Sequence, residues 1–336
     1  LTSPRTNGEQ PALLASTDVA VVICAYTDER WDETLRAVES VRGQSSPVGE
    51  LVLVVDHNTG LLERFQAHFK DTVRVLENTH RQGLSGARNT GIEATTKAII
   101  GFLDDDAEAQ ADWVEQLISA YATEQVAGAG GYIEPKWNAP RPGWWPKEFD
   151  WVVGCSYTGL PTKRQRVRNP IGANMSVRRS AFDAAGGFSP AIGRIGKHPI
   201  GCEETELFIR IAQLQPGSFA VYEPAARVLH NVGAPRATFD YFKRRCFAEG
   251  LSKAVVAQLS KDQESLSSEW TYTLKTLPAG VVRNIASGIR GDREGFARAG
   301  AIVAGLGITT AGYIRGRLSK GPERNLTGVP SHPDNS

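Results

Sequence analysis

Over its first third, the chain alternates fully apolar runs with one-sided apolar stripes. Asp18 introduces Val19-Ala20-Val21-Val22-Ile23-Cys24, which is apolar at every position and predicts a strand buried on both faces. Trp31, Leu35, Val38 and Val41 then recur at helical spacing. A second buried strand, Leu51–Val55, ends at Asp56, and Leu61, Leu62, Phe65 and Phe69 mark the next helix. A short strand covers Val73–Leu76, a small-residue helix Gly83–Ala94, and a fourth buried strand Ala98–Leu103, which runs into Asp104-Asp105-Asp106. Trp113, Val114, Leu117, Ile118 and Tyr121 form another helical stripe. This alternation predicts an α/β fold built on a doubly wound, mostly parallel sheet. Such sheets bind ligands at the carboxyl ends of their strands. Tyr26, Asp56 and the three aspartates all follow strand ends, so they are expected along one sheet edge.

Beyond residue 123 the pattern is less regular. Residues 135–170 mix Trp137, Trp144, Trp145 and Trp151 with Pro and Gly, and read as a long functional loop. A helix is predicted over Cys202–Leu214, short strands over 219–229 and an amphipathic helix over 238–260. Between Thr271 and Lys320 there are eight basic and two acidic residues, and Ala299–Ile314 is uncharged for 16 residues. That falls short of the ~20 residues of a membrane span. A helical hairpin packed on protein and a segment lying on an anionic membrane surface both fit this tail.

The chain has 336 residues, 41% of them hydrophobic and 22% charged, which is ample for a core and excludes a largely disordered chain. A net charge of +1 argues against a dedicated nucleic-acid binder. Cys24, Cys155, Cys202 and Cys246 form no CxxC pair and no zinc spacing, in keeping with a reducing compartment. No apolar stretch opens the chain, so a cytoplasmic location is expected, on the inner face of the cell membrane if the tail binds lipid. The boundaries expected are a mobile segment over 1–17, a catalytic domain over 18–257, and a helical basic and apolar extension over 258–336 that ends in a mobile tail.

Three adjacent carboxylates repel one another, and a divalent cation shared with phosphates would offset that cost; a solvated acidic loop is the alternative. Asp56 can accept a hydrogen bond from a base or ribose, or cap the next helix. Arg81 and Arg88 flank Gly83-Leu84-Ser85-Gly86 and suit a diphosphate, or a plain surface. Neither a Walker A motif nor a strand-following GxGxxG occurs. Glu203-Glu204-Thr205-Glu206 opens a predicted helix, whose dipole favours an ionised general base, or simply a charged first turn. His230 is a metal ligand or a structural histidine.

Cys24-Ala25-Tyr26, Val54-Val55-Asp56, Gly83-Leu84-Ser85-Gly86-Ala87-Arg88-Asn89-Thr90-Gly91, Phe102-Leu103-Asp104-Asp105-Asp106, Gly172-Ala173-Asn174-Met175, Gly186-Gly187-Phe188 and Glu203-Glu204-Thr205-Glu206-Leu207 occur in this order. Together they resemble the family 2 glycosyltransferases of GT-A fold, from about Val19 to about Ala257. The resemblance implies inverting sugar transfer from a nucleotide-diphosphate sugar, UDP-linked by expectation, with Mn2+ or Mg2+. It implies donor binding by Ala25, Tyr26, Asp56, Arg81, Arg88, Asp104 and Asp105, and metal binding by Asp106 and His230. Glu204 takes the base position, with Glu where the family has Asp, which moves the carboxylate by one methylene. Acceptor contacts are expected on Asn174, Glu203 and the tryptophans Trp144 and Trp145; a hydrophobic plug over the sheet or a membrane-facing loop is the other reading of that Trp-rich segment. The acceptor is the hydroxyl of a glycan, a lipid-linked sugar or a small molecule, and a homo-oligomer stays open. The Gln-x-x-Arg-Trp motif of processive members is absent, which favours single additions. A narrower resemblance, over Asp150–Cys155 and Gly201–Glu204, is to a bacterial and archaeal surface-glycan subgroup that includes glucuronosyltransferases. Arg194 and Lys197 would suit an acidic sugar. A sugar nucleotidyltransferase would carry a Gly-rich loop where this chain has Ala25-Tyr26-Thr27-Asp28, and a non-catalytic relative would be expected to lose Glu204 or Asp106.

Overall fold

The computed structural model describes residues 14–189, 201–259 and 270–318. Most of the 1–17 segment, the tail beyond 318, and Arg194 and Lys197 lie outside those residues. The first half alternates as the pattern predicts: β1 (Val19–Ala25), α1 (Trp31–Arg42), β2 (Glu50–Val55), α2 (Thr59–Phe69), β3 (Arg74–Glu77), α3 (Leu84–Glu93), β4 (Ile99–Asp104), β5 (Ala107–Ala109) and α4 (Trp113–Ser119). The strands are apolar throughout because helices cover both faces. Val21, Ile23 and Leu53 meet Val38 of α1 and Phe65 of α2 in one core cluster. Val22, Val52 and Val54 meet Ala87 and Ile92 of α3 in another, on the opposite face.

The second half departs from expectation. It contains β6 (Val126–Trp137), β7 (Gln165–Val167), β8 (Asn174–Arg178), α5 (Arg179–Ala185), α6 (Glu203–Leu214), β9 (Phe219–Val232) and α7 (Phe239–Leu259). The short strands expected over 219–229 are one continuous strand, and the expected irregular segment begins inside β6 and contains β7 and a 3-10 helix over Lys147–Val153. β6 pairs with β9 in parallel over most of its length. Its Gly-rich start gives no alternating pattern, because its glycines admit close neighbours: a Cβ on Gly131 would sit 1.8 Å from the Ala226 carbonyl oxygen. The sheet order is β3-β2-β1-β4-β8-β6-β9-β5, with β7 beside β9. It is parallel through β3-β2-β1-β4 and at β6–β9, and antiparallel where β8, β5 and β7 pair.

A π-helical turn, Tyr272–Thr276, runs into α8 (Leu277–Ile289), and α9 (Glu294–Leu318) follows. α9 packs on both α7 and α8, as the hairpin reading of the tail expects. The α7–α9 crossing is close enough that a Cβ on Gly250 would lie 2.1 Å from the Thr309 carbonyl oxygen, and one on Gly312 2.2 Å from that of Phe247. α9 is also long and apolar enough to cross a membrane, by length and composition alone, and 28% of its most apolar window is buried.

Candidate active site

Strand register explains why residues far apart in sequence meet. Cys24 of β1 lies opposite both Val54 of β2 and Asp104 of β4, so the three strands end level. Asp105 and Asp106 then lead into β5, whose Ala107 pairs with His230 of β9. The Asn231 amide donates to the Asp106 carbonyl at 2.8 Å, which pins this corner.

The three aspartates are met by cations from four elements. Arg30 Nη1 lies 2.7 Å from Asp105 and 3.2 Å from Asp106. Arg236 reaches Asp106 at 3.0 Å, His230 Nε2 reaches it at 3.1 Å, and Arg88 lies 3.6 Å from Asp104. Burial works against the Asp106 carboxylate, yet His230, Arg30 and Arg236 hold it well below the usual range. Burial likewise opposes the His230 imidazolium, but Asp106 outweighs it and pushes the group up to about 10. Burial raises Asp105 to about 7 against the pull of Arg30, and its Oδ2 is buried with no hydrogen-bond partner among the described residues. Ligand atoms of Asp104, Asp106 and His230 all lie within 4.8 Å of one another. Two carboxylates and one imidazole, converging beside an unpartnered carboxylate oxygen, fit a divalent cation. Cys155 Sγ stands 3.7 Å from His230 Nδ1 and orients the ring, leaving Nε2 toward the aspartates.

Asp104 also lines a cavity of about 290 Å³ with Arg88, Glu203 and Glu204. Arg88 is buried beneath it, donating to Glu203 Oε1 at 3.0 Å and to the Gly172 carbonyl at 3.2 Å. It thus ties the end of β4 to the start of α6. Cys202, just before α6, has φ of 81°, a left-handed conformation rare for a non-glycine residue, and it turns the chain so that both glutamates enter the cavity. Burial and the neighbouring Glu203 push Glu204 up to about 8, while Arg88 pulls the other way. Glu204 Oε2 is sealed from solvent and has no hydrogen-bond partner among the described residues. Trp151, Tyr157, Tyr272 and Leu277 wall the far side.

The remaining candidates divide clearly. Ala25 is buried at the end of β1, and its carbonyl accepts from the Asp56 amide at 2.8 Å. Tyr26 is exposed beyond it, 5.6 Å beneath the Arg30 guanidinium. The Asp56 carboxylate accepts from Gly83 N at 2.9 Å and Asn78 Nδ2 at 2.6 Å, and so fixes the turn into α3. Arg81 is exposed on that turn. Asn174 corrects an expectation: it is fully buried, accepts from Trp113 Nε1 at 2.8 Å and donates to the Ala226 carbonyl at 2.9 Å, so its amide is spent on the core and not on an acceptor. Trp145 is a second correction, being buried among Trp137, Trp144 and Phe242. Trp144 packs on Phe239 and Phe242, and neither tryptophan lines the Glu204 cavity. Large aromatics bury most favourably against one another, and this pair packs into one aromatic cluster with Phe239 and Phe242. Trp151 is the tryptophan that reaches the cavity. Sequence reasoning missed Arg30 and Arg236; the only signal was that three adjacent aspartates require counter-charges from somewhere.

Residues 20–186 match the family described as Glycosyl transferase family 2. The chain is similar to the glucosyl-dolichyl phosphate glucuronosyltransferase of Haloferax volcanii, at 37% identity over 241 residues, covering 71% of this chain and 77% of that protein. It is also similar to rat polypeptide N-acetylgalactosaminyltransferase 10, at 28% identity over 192 residues, covering 51% of this chain and only 32% of that one. Among solved structures, the mannosyltransferase PcManGT of Pyrobaculum calidifontis, in complex with GDP-Man and Mn2+, superposes with TM-score 0.57 at 16% identity, over 92% of this chain and 91% of that one. GalNAc-T7 with UDP, GalNAc and Mn2+ superposes with TM-score 0.51 at 18% identity, over 78% of this chain and 54% of that one. By its match to that family and its kinship with the Haloferax enzyme, the chain belongs to the family 2 glycosyltransferases, built on the GT-A fold.

Proposed function

We propose that this glycosyltransferase inverts configuration as it transfers a glucuronosyl or hexosyl unit from a UDP-sugar to the hydroxyl of a sugar carried on a lipid phosphate. The observation that carries the reading is that Asp104 belongs both to the candidate cation cluster and to the cavity containing Glu204. Donor phosphates and acceptor hydroxyl would therefore meet at one carboxylate. Asp104, Asp106 and His230 would hold Mn2+ or Mg2+, which when bound offsets the negative charge of the leaving diphosphate. Ala25, Tyr26, Asp56 and Arg81 lie along the sheet edge where base and ribose would sit. Arg88 positions Glu203 and Asp104, and its charge favours ionised Glu204. Glu204 accepts the acceptor hydroxyl's proton as that oxygen attacks the anomeric carbon from the face opposite the diphosphate. The catalytic unit of this reading spans residues 18–257, with its site on the cytoplasmic side.

The name of the Haloferax relative supports a glucuronosyl donor and a lipid-phosphate acceptor. Arg168, Arg245 and Lys253 line the same cavity and suit an acceptor bearing phosphate, while Trp151 offers a ring for its sugar. The test is to incubate the purified chain with UDP-glucuronate and a glucosyl phosphate lipid, with Mn2+ or with EDTA. Release of UDP that requires metal, with a β-linked product from the α-linked donor by NMR, is expected. A product that keeps the donor's configuration would remove Glu204 from the role of base. Turnover unaffected by EDTA would remove the metal.

A further inference from the structure

The helix that walls the cavity on one side is apolar on its other side. Tyr272, Thr273 and Leu277 line the cavity, and Leu277, Gly280, Asn284 and Gly288 are buried against the protein. Tyr272 Oη donates to the Glu148 carbonyl at 2.6 Å and accepts from Trp151 Nε1 at 3.0 Å, which fastens the helix to the cavity wall. The outward positions are Trp270, Leu274, Pro278, Val282, Ile285 and Ile289, in steps of four, four, four, three and four residues. These are not the edges of a core: Trp270 is 60% exposed, Leu274 61%, Val282 68% and Ile289 75%. A stripe of this length exposed on one helix marks an interaction surface.

Charge indicates what covers it. Residues 270–291 carry Lys275, Arg283 and Arg290 and no acidic residue; Arg293 follows between Asp292 and Glu294, both of which face Arg298. All four basic side chains are exposed, and while Arg283 is paired with the buried Glu148 carboxylate, Lys275, Arg290 and Arg293 edge the stripe. An apolar stripe edged by basic residues, with a tryptophan at one end, matches the layer where lipid headgroups meet acyl chains. A soluble partner would need an acidic rim and an apolar groove together, whereas an anionic bilayer offers both properties everywhere on its surface.

We propose that the outer face of residues 270–289 lies in the surface layer of an anionic membrane, and that this sets the Glu204 cavity against the bilayer. The surface is independent of which sugar the enzyme transfers. It accounts for a catalytic cavity built partly from a helix whose opposite side is unsuited to water. A lipid-anchored acceptor would then enter from the membrane without leaving it.

The experiment is co-sedimentation of the full chain with vesicles of phosphatidylcholine alone and of phosphatidylcholine mixed equally with phosphatidylglycerol. Binding is expected to the anionic vesicles and to fall with salt. Each basic residue near such a surface contributes roughly fivefold, so Arg290→Ala with Arg293→Ala should weaken binding by about tenfold or more. Val282→Asp with Ile289→Asp should abolish it with an unchanged thermal midpoint, since both side chains are already exposed. A vesicle-induced blue shift in tryptophan emission should be lost in Trp270→Phe. A parent chain that stays in the supernatant, or an aspartate variant that sediments like the parent, overturns the proposal. So does a dimer in ultracentrifugation that the aspartate pair dissociates while vesicle binding persists, because the face would then belong to a second copy.

Discussion

Glu203 and Glu204 show how neighbours of the same chemistry take different parts. Arg88 claims Glu203 at 3.0 Å, and Glu204 keeps an oxygen with no partner among the described residues. Replacing Glu204 with Gln preserves size but removes the proposed base, so kcat should fall by about 10²–10⁴-fold with donor affinity nearly constant. Burial and Glu203 raise its carboxyl to about 8, so the ionised base forms as pH rises through that value, and kcat should rise with it. A raised carboxyl contributes stability that is full below its ordinary range and is lost as pH climbs through about 8. Glu204→Gln should therefore melt higher than the parent above that pH; pH-rate and pH-melting profiles of both proteins check the pair of outcomes. The two acids and their place in a helix were legible as a motif. The resemblance also gave Glu204 the base position; the pairing of Glu203 with Arg88 was not legible, because it depends on an arginine 115 positions away in sequence.

At the scale of elements, the aromatic segment and the helix crossing behave alike: packing decides their role. Trp145 is surrounded by Trp137, Trp144 and Phe242, so Trp145→Ala should cost about 3–5 kcal/mol of stability in urea unfolding. Acceptor KM should respond instead to Trp151→Ala, whose ring faces the cavity. Where α7 crosses α9, a methyl on Gly250 has no room beside the Thr309 carbonyl. Gly250→Ala should lower stability by about 1–3 kcal/mol in the same assay, as overpacking does. Strands β1, β2 and β4 could be read because burial on both faces leaves an unbroken apolar run. β6 and β8 could not, since Gly-rich and polar-bearing strands take their identity from partners and carry no period of their own.

For the whole molecule, the candidate cation cluster joins the end of β4 to β9 across the sheet, so a ligand there should stabilise the entire fold. Mn2+ with UDP at a hundredfold excess over its dissociation constant should add about 2.7 kcal/mol, seen as a raised thermal midpoint. Asp106→Ala should remove the metal-dependent part of that shift and leave the unliganded protein folded; an undiminished shift would rule the cluster out. What the sequence alone determined was the α/β alternation, the family and the order of its acidic motifs, because buried strands and short motifs are local patterns. Only the tertiary structure decided that Arg30 and Arg236 neutralise the aspartates, that Cys155 stands beside the His230 ring, and that Asn174 serves the core. It alone also showed that one helix walls the cavity on one side and presents apolar residues to solvent on the other. Each of these rests on strand register or on packing between elements distant in sequence, and no local pattern of residues encodes which distant groups such contacts bring together.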